Sequence, residues 1–183
     1  MRKAFIAAIV ALGIVSAAPQ AFADGRQCRG TIGAVTVDSI IVPEGAFCTL
    51  DGTRVRGNVD VQADATLVAT GVTVGGNVSG DEAAAVTISG AAVRANVQLT
   101  DGGMASLADS RVRGNAVFAG NVGAVDASRN TILGSLQADK NTGGVTIADN
   151  RIGNNLQCSE NDPAPTGGGN MVRGSKSDQC AEL

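Results

Sequence analysis

The chain has 183 residues, of which 44% are hydrophobic and only 2% aromatic, and its formal net charge is −3. It contains no His, Trp or Tyr, which excludes Ser-His-Asp triads, His-based acid–base catalysis and His metal ligation. The acidic balance disfavours a nucleic-acid partner, because phosphate binding depends on clustered Lys and Arg.

The N-terminal segment has the layout of a signal peptide. Two basic residues precede an apolar run over 4–18, and Ala-Phe-Ala follows at 21–23. The run is shorter than the ~20 residues of a membrane-spanning helix, and Cys28 lacks the small apolar residues that precede a lipidated cysteine. The sequence therefore predicts a signal-peptide helix over 1–23, export to the cell envelope or extracellular space, and no membrane span after cleavage. Residues 24–183 carry 12 basic and 17 acidic side chains, a formal charge of −5.

A repeated motif, V-x-G-N-V, defines the next segment. After a less regular cap and first coil over 24–54, the copies over 55–158 and beyond start at Val55, Val74, Val93, Val112, Ile132, Ile152 and Val172. The starts are 19, 19, 19, 20, 20 and 20 residues apart. Such regularity is typical of a solenoid.

Each copy alternates apolar and polar residues, which predicts half-buried strands. One apolar column contains Val59, Val78, Val97, Ala116, Leu136 and Leu156. A second alternating pair precedes each motif by seven and five residues, as Val86 and Ile88 do before Val93. We therefore expect an all-β fold, a single-stranded right-handed parallel β-helix with about 19–20 residues per coil and about eight coils. A left-handed helix of hexapeptides fits less well because the spacings are not multiples of six, and a pentapeptide-type square coil ranks second.

Asparagine recurs at the fourth motif position. Asn58, Asn77, Asn96, Asn115 and Asn155 are predicted to stack into a structural ladder, at a corner with left-handed backbone and with each amide bonded to the next coil. Asn130, Asn150 and Asn170 form a second column, which we expect at another corner.

Arginine recurs at the second motif position. Arg56, Arg94, Arg113 and Arg173 share this position, and Arg54, Arg111 and Arg151 lie two residues earlier in their coils. They predict a basic surface stripe able to contact anionic wall polymers or lipid headgroups. The alternative is a solubilising face that also prevents edge pairing.

The four cysteines lie near the two ends of the repeat. Cys28 and Cys48 are 20 residues apart, and Cys158 and Cys180 are 22 apart, each about one coil. Residues one coil apart are close enough for a disulfide, so we expect the pairs Cys28–Cys48 and Cys158–Cys180. The C-terminal segment 159–183 should combine a Gly/Pro loop over 159–170, which interrupts the solenoid, with a capping coil. Capped ends favour a monomer.

No constellation for catalysis, metal or cofactor binding stands out. Asp109 and Asp149 share a repeat position but lie two coils apart, too far to share an ion. Thr73, Thr87 and Thr146 are not expected to share one column, which argues against the flat threonine array of an ice-binding face. We therefore predict no enzyme activity and no cofactor.

The V-x-G-N-V coils resemble those of bactofilins, bacterial polymer-forming proteins with a short, uniform right-handed β-helix. The stretch from Asn155 to Cys158, the Pro-Ala-Pro-Thr-Gly-Gly-Gly-Asn run at 163–170 and the Gln179-Cys180 pair look like the ending of uncharacterised exported proteins of high-GC Gram-positive bacteria. These resemblances imply a β-helix but no activity. The sequence thus predicts a non-catalytic exported structural or binding protein, with an envelope glycan or a protein as its partner. A carbohydrate-active β-helix enzyme or its degenerate relative, and a self-assembling scaffold, are the alternatives.

Overall fold

The alternating residues form short strands, and each strand pairs in parallel with its copies in the preceding and following coils. A computed structural model describes residues 25–183, so the predicted signal peptide lies outside the described residues. This part of the chain is an all-β parallel β-solenoid of about eight turns with about 19 residues per coil, and it contains no helix, which confirms the predicted fold class. Right-handed winding stays a prediction.

Three parallel sheets run along the solenoid axis. Sheet A contains β1 (Arg26–Gln27), β4 (Ile40–Val42), β7 (Val59–Val61), β10 (Val78–Asp81), β13 (Val97–Thr100), β16 (Ala116–Ala119), β19 (Leu136–Asp139), β22 (Leu156–Ser159) and β25 (Lys176–Asp178). Sheet B contains β2 (Thr31–Ile32), β5 (Phe47–Asp51), β8 (Thr66–Thr70), β11 (Ala85–Ser89), β14 (Met104–Ala108), β17 (Val125–Ser128), β20 (Val145–Ala148) and β23 (Thr166–Gly168). Sheet C contains β3 (Thr36–Val37), β6 (Arg54–Val55), β9 (Thr73–Val74), β12 (Ala92–Val93), β15 (Arg111–Val112), β18 (Thr131–Ile132), β21 (Arg151–Ile152) and β24 (Met171–Val172).

The chain passes from sheet A to sheet B to sheet C in every complete coil, so the three sheets form the sides of a prism. We call its edges corner AB, corner BC and corner CA. The extra residue of the longer coils lies between β16 and β17, because Val97 pairs with Ala116 at a separation of 19 but Ala105 pairs with Val125 at 20. The columns therefore stay in phase on both sides of the insertion.

The interior is one cluster of aliphatic columns. Phe118 is fully buried, whereas Phe47 is 56% exposed on sheet B. A solenoid with this narrow interior buries Val, Ile, Leu and Ala in stacked rows, which explains why few aromatic residues are needed.

Left-handed backbone occurs at corners AB and BC, but the predicted asparagines do not supply it. Within 25–183 the non-glycine residues with positive φ are Asp64, Glu82, Asp101, Asp109, Arg129, Lys140, Asp149, Glu160 and Asp178. The expectation of left-handed asparagines is therefore wrong, since these corners use glycine or a solvated charged residue. The motif asparagines lie instead at corner CA, where their side-chain amides bond to the backbone of the next coil.

The Gly-Asn pairing in the motif has a steric origin. A Cβ at Gly76, Gly114 or Gly134 would collide with the Oδ1 atom of the motif asparagine one coil earlier. Where Ala95 replaces this glycine, its backbone N–H lies 3.3 Å from the carbonyl oxygen of Gly76, compared with 2.9 Å for Gly114 and its carbonyl partner. The ladder and the glycine column therefore depend on each other.

Two further asparagine ladders are buried inside the solenoid. At corner BC the backbone N–H groups of Ser110, Asn130 and Asn150 each donate to the Oδ1 atom of the asparagine one coil later, at 2.9–3.0 Å. Corner AB repeats this arrangement with Asn121, Asn141 and Asn161, and Gln179 ends that ladder. The second column predicted from the sequence thus lies at a corner, while the ladder at corner AB is an additional feature.

The C-terminal segment continues the coil more closely than expected. Residues 166–168 form β23 and pair with β20, and Asn161 and Asn170 occupy their places in the two buried ladders. The predicted interruption by a loop over 159–170 is wrong at these positions. Both prolines, Pro163 and Pro165, precede β23, and the glycines within β23 are tolerated because it is the last strand of its sheet, where one side needs no partner.

Both predicted disulfides are confirmed. Cys28 pairs with Cys48 and Cys158 with Cys180, with Cα atoms 5.5 Å and 5.2 Å apart. Cys180 is fully buried, and Leu183 packs against the core. Each bridge joins neighbouring turns at one end of the solenoid.

Candidate binding surface on sheet C

Sheet C presents two outward columns of side chains, which we call face C. The first column contains Thr36, Arg54, Thr73, Ala92, Arg111, Thr131, Arg151 and Met171, as the strand register shows. The second contains Asp38, Arg56, Gly75, Arg94, Arg113, Leu133, Gly153 and Arg173, each two residues further along. The two-residue strands place every arginine outward because each is next to an inward-facing Val or Ile, all of which are buried except the half-buried Val172.

All seven arginines of face C are exposed, and they span about seven coils, or about 29 Å at 4.8 Å per coil. Among the described residues, Arg56 is the only one of the seven with a carboxylate partner, since its Nη1 atom lies 2.9 Å from Oδ1 of Asp38. Arg94 and Arg113 occupy the same column in adjacent coils, where like charges oppose each other and destabilise the sheet. The structure therefore concentrates unpaired positive charge on one side of an acidic chain.

Two shallow recesses lie on face C, where glycine replaces arginine in the second column. The first surrounds Gly75 and is lined by Arg54, Arg56, Thr73 and Arg94. The second surrounds Gly153, and its lining residues are Thr131, Ile132, Leu133, Arg151, Asn154 and Arg173. The sequence did not predict these recesses, although three of the seven motif copies have no arginine at the second position, and two of those three have glycine there.

Acidic residues occupy the opposite edge of the prism. Corner AB carries Asp64, Glu82, Asp101 and Glu160, whose side chains are exposed, and Lys140 lies 4.0 Å from Glu160. Corner AB lies across the prism from sheet C, so these four carboxylates are remote from face C, whereas Asp109 and Asp149 lie beside it at corner BC. Any anionic ligand will be attracted to face C and repelled from corner AB.

Corner BC contains the best-defined ion pair. Arg129 donates from Nε and Nη2 to the two carboxylate oxygens of Asp109, at 2.7 Å and 2.8 Å. The hydrogen bonds from Arg129 lower the pKa of Asp109, and Asp109 in turn raises the pKa of Arg129. Arg129 lies at corner BC, outside the two columns of face C, and both nitrogens that it directs at Asp109 are occupied.

The exposed asparagine ladder borders face C along corner CA. Oδ1 of Asn58 accepts a hydrogen bond from the backbone N–H of Asn77 at 2.9 Å, and Oδ1 of Asn96 accepts one from the backbone N–H of Asn115 at 2.8 Å. Ser135 interrupts the amide series, and its hydroxyl accepts from the backbone N–H of Asn155. These contacts stabilise the corner through the coil-to-coil hydrogen bonds of the ladder.

The three threonines considered for an ice-binding array lie on two different sheets. Thr87 and Thr146 share one column, linked through Ser106 and Asp126, whereas Thr73 lies on sheet C. The prediction that these three residues do not share one column is therefore confirmed, although two of them do fall in the same column. The shared column is not a continuous threonine array, because Val68, Ser106 and Asp126 interrupt it.

The remaining candidate sites are few. Over residues 25–183 no group of three or more Cys, Asp or Glu side chains is arranged to hold a metal ion. Within the same range no helix has the length and hydrophobicity needed to cross a membrane. Face C is consequently the surface with the clearest chemical character.

Comparison with known proteins gave no match to any family profile, any curated protein or any solved structure.

Proposed function

We propose that this protein is a non-catalytic exported protein that binds an anionic polymer of the cell envelope through face C. One observation carries the proposal: six exposed arginines without a carboxylate partner among the described residues share one face of a chain that is acidic overall. A purely solubilising surface would intersperse both signs of charge. The seventh, Arg56, extends the same face.

A linear polymer fits the shape of face C. The face is about 29 Å long and only two side-chain columns wide, so a chain lying along the axis could contact several arginines at once. Several weak contacts on one ligand raise the overall affinity strongly. The polymer would also offset the repulsion between Arg94 and Arg113.

Export is supported by two independent features. The layout of residues 1–23 is that of a signal peptide, and the two disulfides are compatible with an oxidising extracellular environment. An anionic glycan or wall polymer would be available to the protein there.

The test compares two double charge reversals. Arg94→Glu with Arg113→Glu changes face C, whereas Arg26→Glu with Arg29→Glu changes the net charge equally at the N-terminal end. We expect the first variant to lose binding to purified anionic cell-wall polymer in a sedimentation assay, and the control to retain it. Binding that is absent in the parent protein, or equal loss in both variants, would refute the proposal.

The same samples distinguish binding from catalysis. A carbohydrate-active enzyme would shorten the polymer during incubation, which size-exclusion chromatography of the recovered polymer detects. We expect retention of the polymer at its original length. Shortened polymer would favour the alternative of a carbohydrate-active β-helix enzyme.

A further inference from the structure

We infer that the two recesses of face C are separate subsites for tetrahedral oxyanions, namely the phosphate or sulfate groups of one bound polymer. This inference rests on the proposed function. It specifies which charged groups of the polymer are bound and how far apart the two binding positions are. The two central glycines, Gly75 and Gly153, lie four coils apart, which corresponds to about 19 Å.

The choice of cation supports an oxyanion ligand. All basic residues of face C are arginines, while Lys140 and Lys176 lie on other parts of the prism. Guanidinium groups donate two parallel hydrogen bonds to phosphate-like oxyanions, which an ammonium group cannot do. A ligand recognised only by its charge would not require this distinction.

The first recess is lined by three arginines. Arg56 and Arg94 occupy the same column on either side of Gly75, about 10 Å apart at the backbone, and Arg54 closes a third side. An oxyanion between them can accept hydrogen bonds from opposite directions. Asp38 does not line this recess, but it accepts a hydrogen bond from Nη1 of Arg56, and no hydrogen bond within the described residues involves Nε or Nη2 of that arginine.

The second recess repeats the arrangement with fewer charges. Arg151 and Arg173 supply the guanidinium groups around Gly153, and Thr131 supplies a hydroxyl. Arg111 and Arg113 lie on the coil between the two recesses, where they can contact the connecting part of the polymer. The face therefore offers two gaps in a row of positive charge.

Uncharged substitutions that fill the recesses test whether the recesses themselves bind the ligand, because they leave the charge of face C unchanged. Thr73→Gln fills the first recess and Thr131→Gln the second, while Ala92→Gln places the same side chain in the same column outside both recesses. None of the three changes the net charge. Circular dichroism checks that each variant is folded.

Tripolyphosphate, which is too short to span both subsites, gives the first readout by isothermal titration calorimetry. We expect two molecules bound per parent chain, two for Ala92→Gln, and one for either threonine variant. For long-chain polyphosphate and for dextran sulfate we expect affinity to fall on the order of 100-fold in the threonine variants, because the second contact is lost. Loss with only one of these polymers identifies the group that the subsites prefer.

The possible failures are distinguishable. If the Arg94/Arg113 reversal abolishes binding but Thr73→Gln and Ala92→Gln behave alike, the subsites are refuted and the proposed function stands. If the parent protein binds none of the three polyanions and no wall polymer, both proposals fail.

Discussion

Removing one amide from the buried ladder at corner BC should destabilise the protein far more than removing one from the exposed ladder. Asn150 is 1% exposed, and its side chain makes four hydrogen bonds, to the backbone N–H and Nδ2 of Asn130, the carbonyl of Ala127 and Oδ1 of Asn170. In Asn150→Ala the backbone N–H of Asn130 loses its partner. Ala91 occupies the equivalent position three coils earlier, so alanine is sterically tolerated there.

An unsatisfied buried donor costs about 1–3 kcal/mol, and the weakened contacts of Ala127 and Asn130 add to this, so we expect a loss of about 3 kcal/mol. Asn96→Ala is the matched control, because its ladder contacts are exposed and water can replace them. Its cost should be about 0.5–1 kcal/mol.

Urea unfolding followed by circular dichroism measures both values. Thermal midpoints should fall by about 2–4 °C per kcal/mol for a chain of this size. Amide hydrogen exchange at Asn130 gives a local check, because this N–H should exchange faster in Asn150→Ala. Equal losses of stability in the two variants would show that buried ladder amides contribute no more than solvated ones, and the reasoning would be refuted.

Three further outcomes are expected. Replacing Cys158 and Cys180 by serine should lower the free energy of unfolding by about 3 kcal/mol, the value for a loop of this length, and unchanged urea midpoints would contradict it. Because the pKa of Asp109 is lowered in the folded state, its ion pair with Arg129 stabilises the fold at neutral pH and is lost as pH falls through that lowered pKa. Carboxyl NMR titration of Arg129→Gln should show the pKa of Asp109 returning upward, and an unchanged titration would show that the arginine is not the cause. Polymer affinity should fall as the salt concentration rises. The double reversal on face C removes about two ionic contacts, so the slope of log affinity against log salt concentration should become shallower by roughly 1.5. An unchanged slope would indicate that the polymer contacts another surface.

Periodicity made most of the fold predictable. The 19- and 20-residue spacing fixes which residues stack, and stacking in turn fixes the columns and both disulfide pairs. Arg94 and Arg113 could be placed in one column by counting alone, because a solenoid converts sequence separation directly into position. The phase shift at the longer coils was also visible in the sequence.

Corner chemistry was less predictable, because one residue type can serve two opposite environments. Asn96 and Asn150 both recur at the coil period, yet the first lies at an exposed corner and the second is buried. Which environment applies depends on whether the backbone turns the side chain outward or inward, a property of the whole coil. Arg129 at a left-handed corner shows the same limit, since local preference alone would have favoured glycine, asparagine or aspartate there.

The sequence by itself determined the repeat, the aliphatic interior, the arginine columns and the cysteine pairs, because each follows from spacing. Tertiary structure alone decided that six of the seven arginines of face C lack a carboxylate partner within the described chain, since most acidic residues close to them in sequence, such as Asp109 and Asp149, project from other sides of the prism. It also decided that glycines open two recesses between those arginines. Ion pairing and recess shape depend on distances between side chains around and along the coil, which spacing in one dimension does not contain.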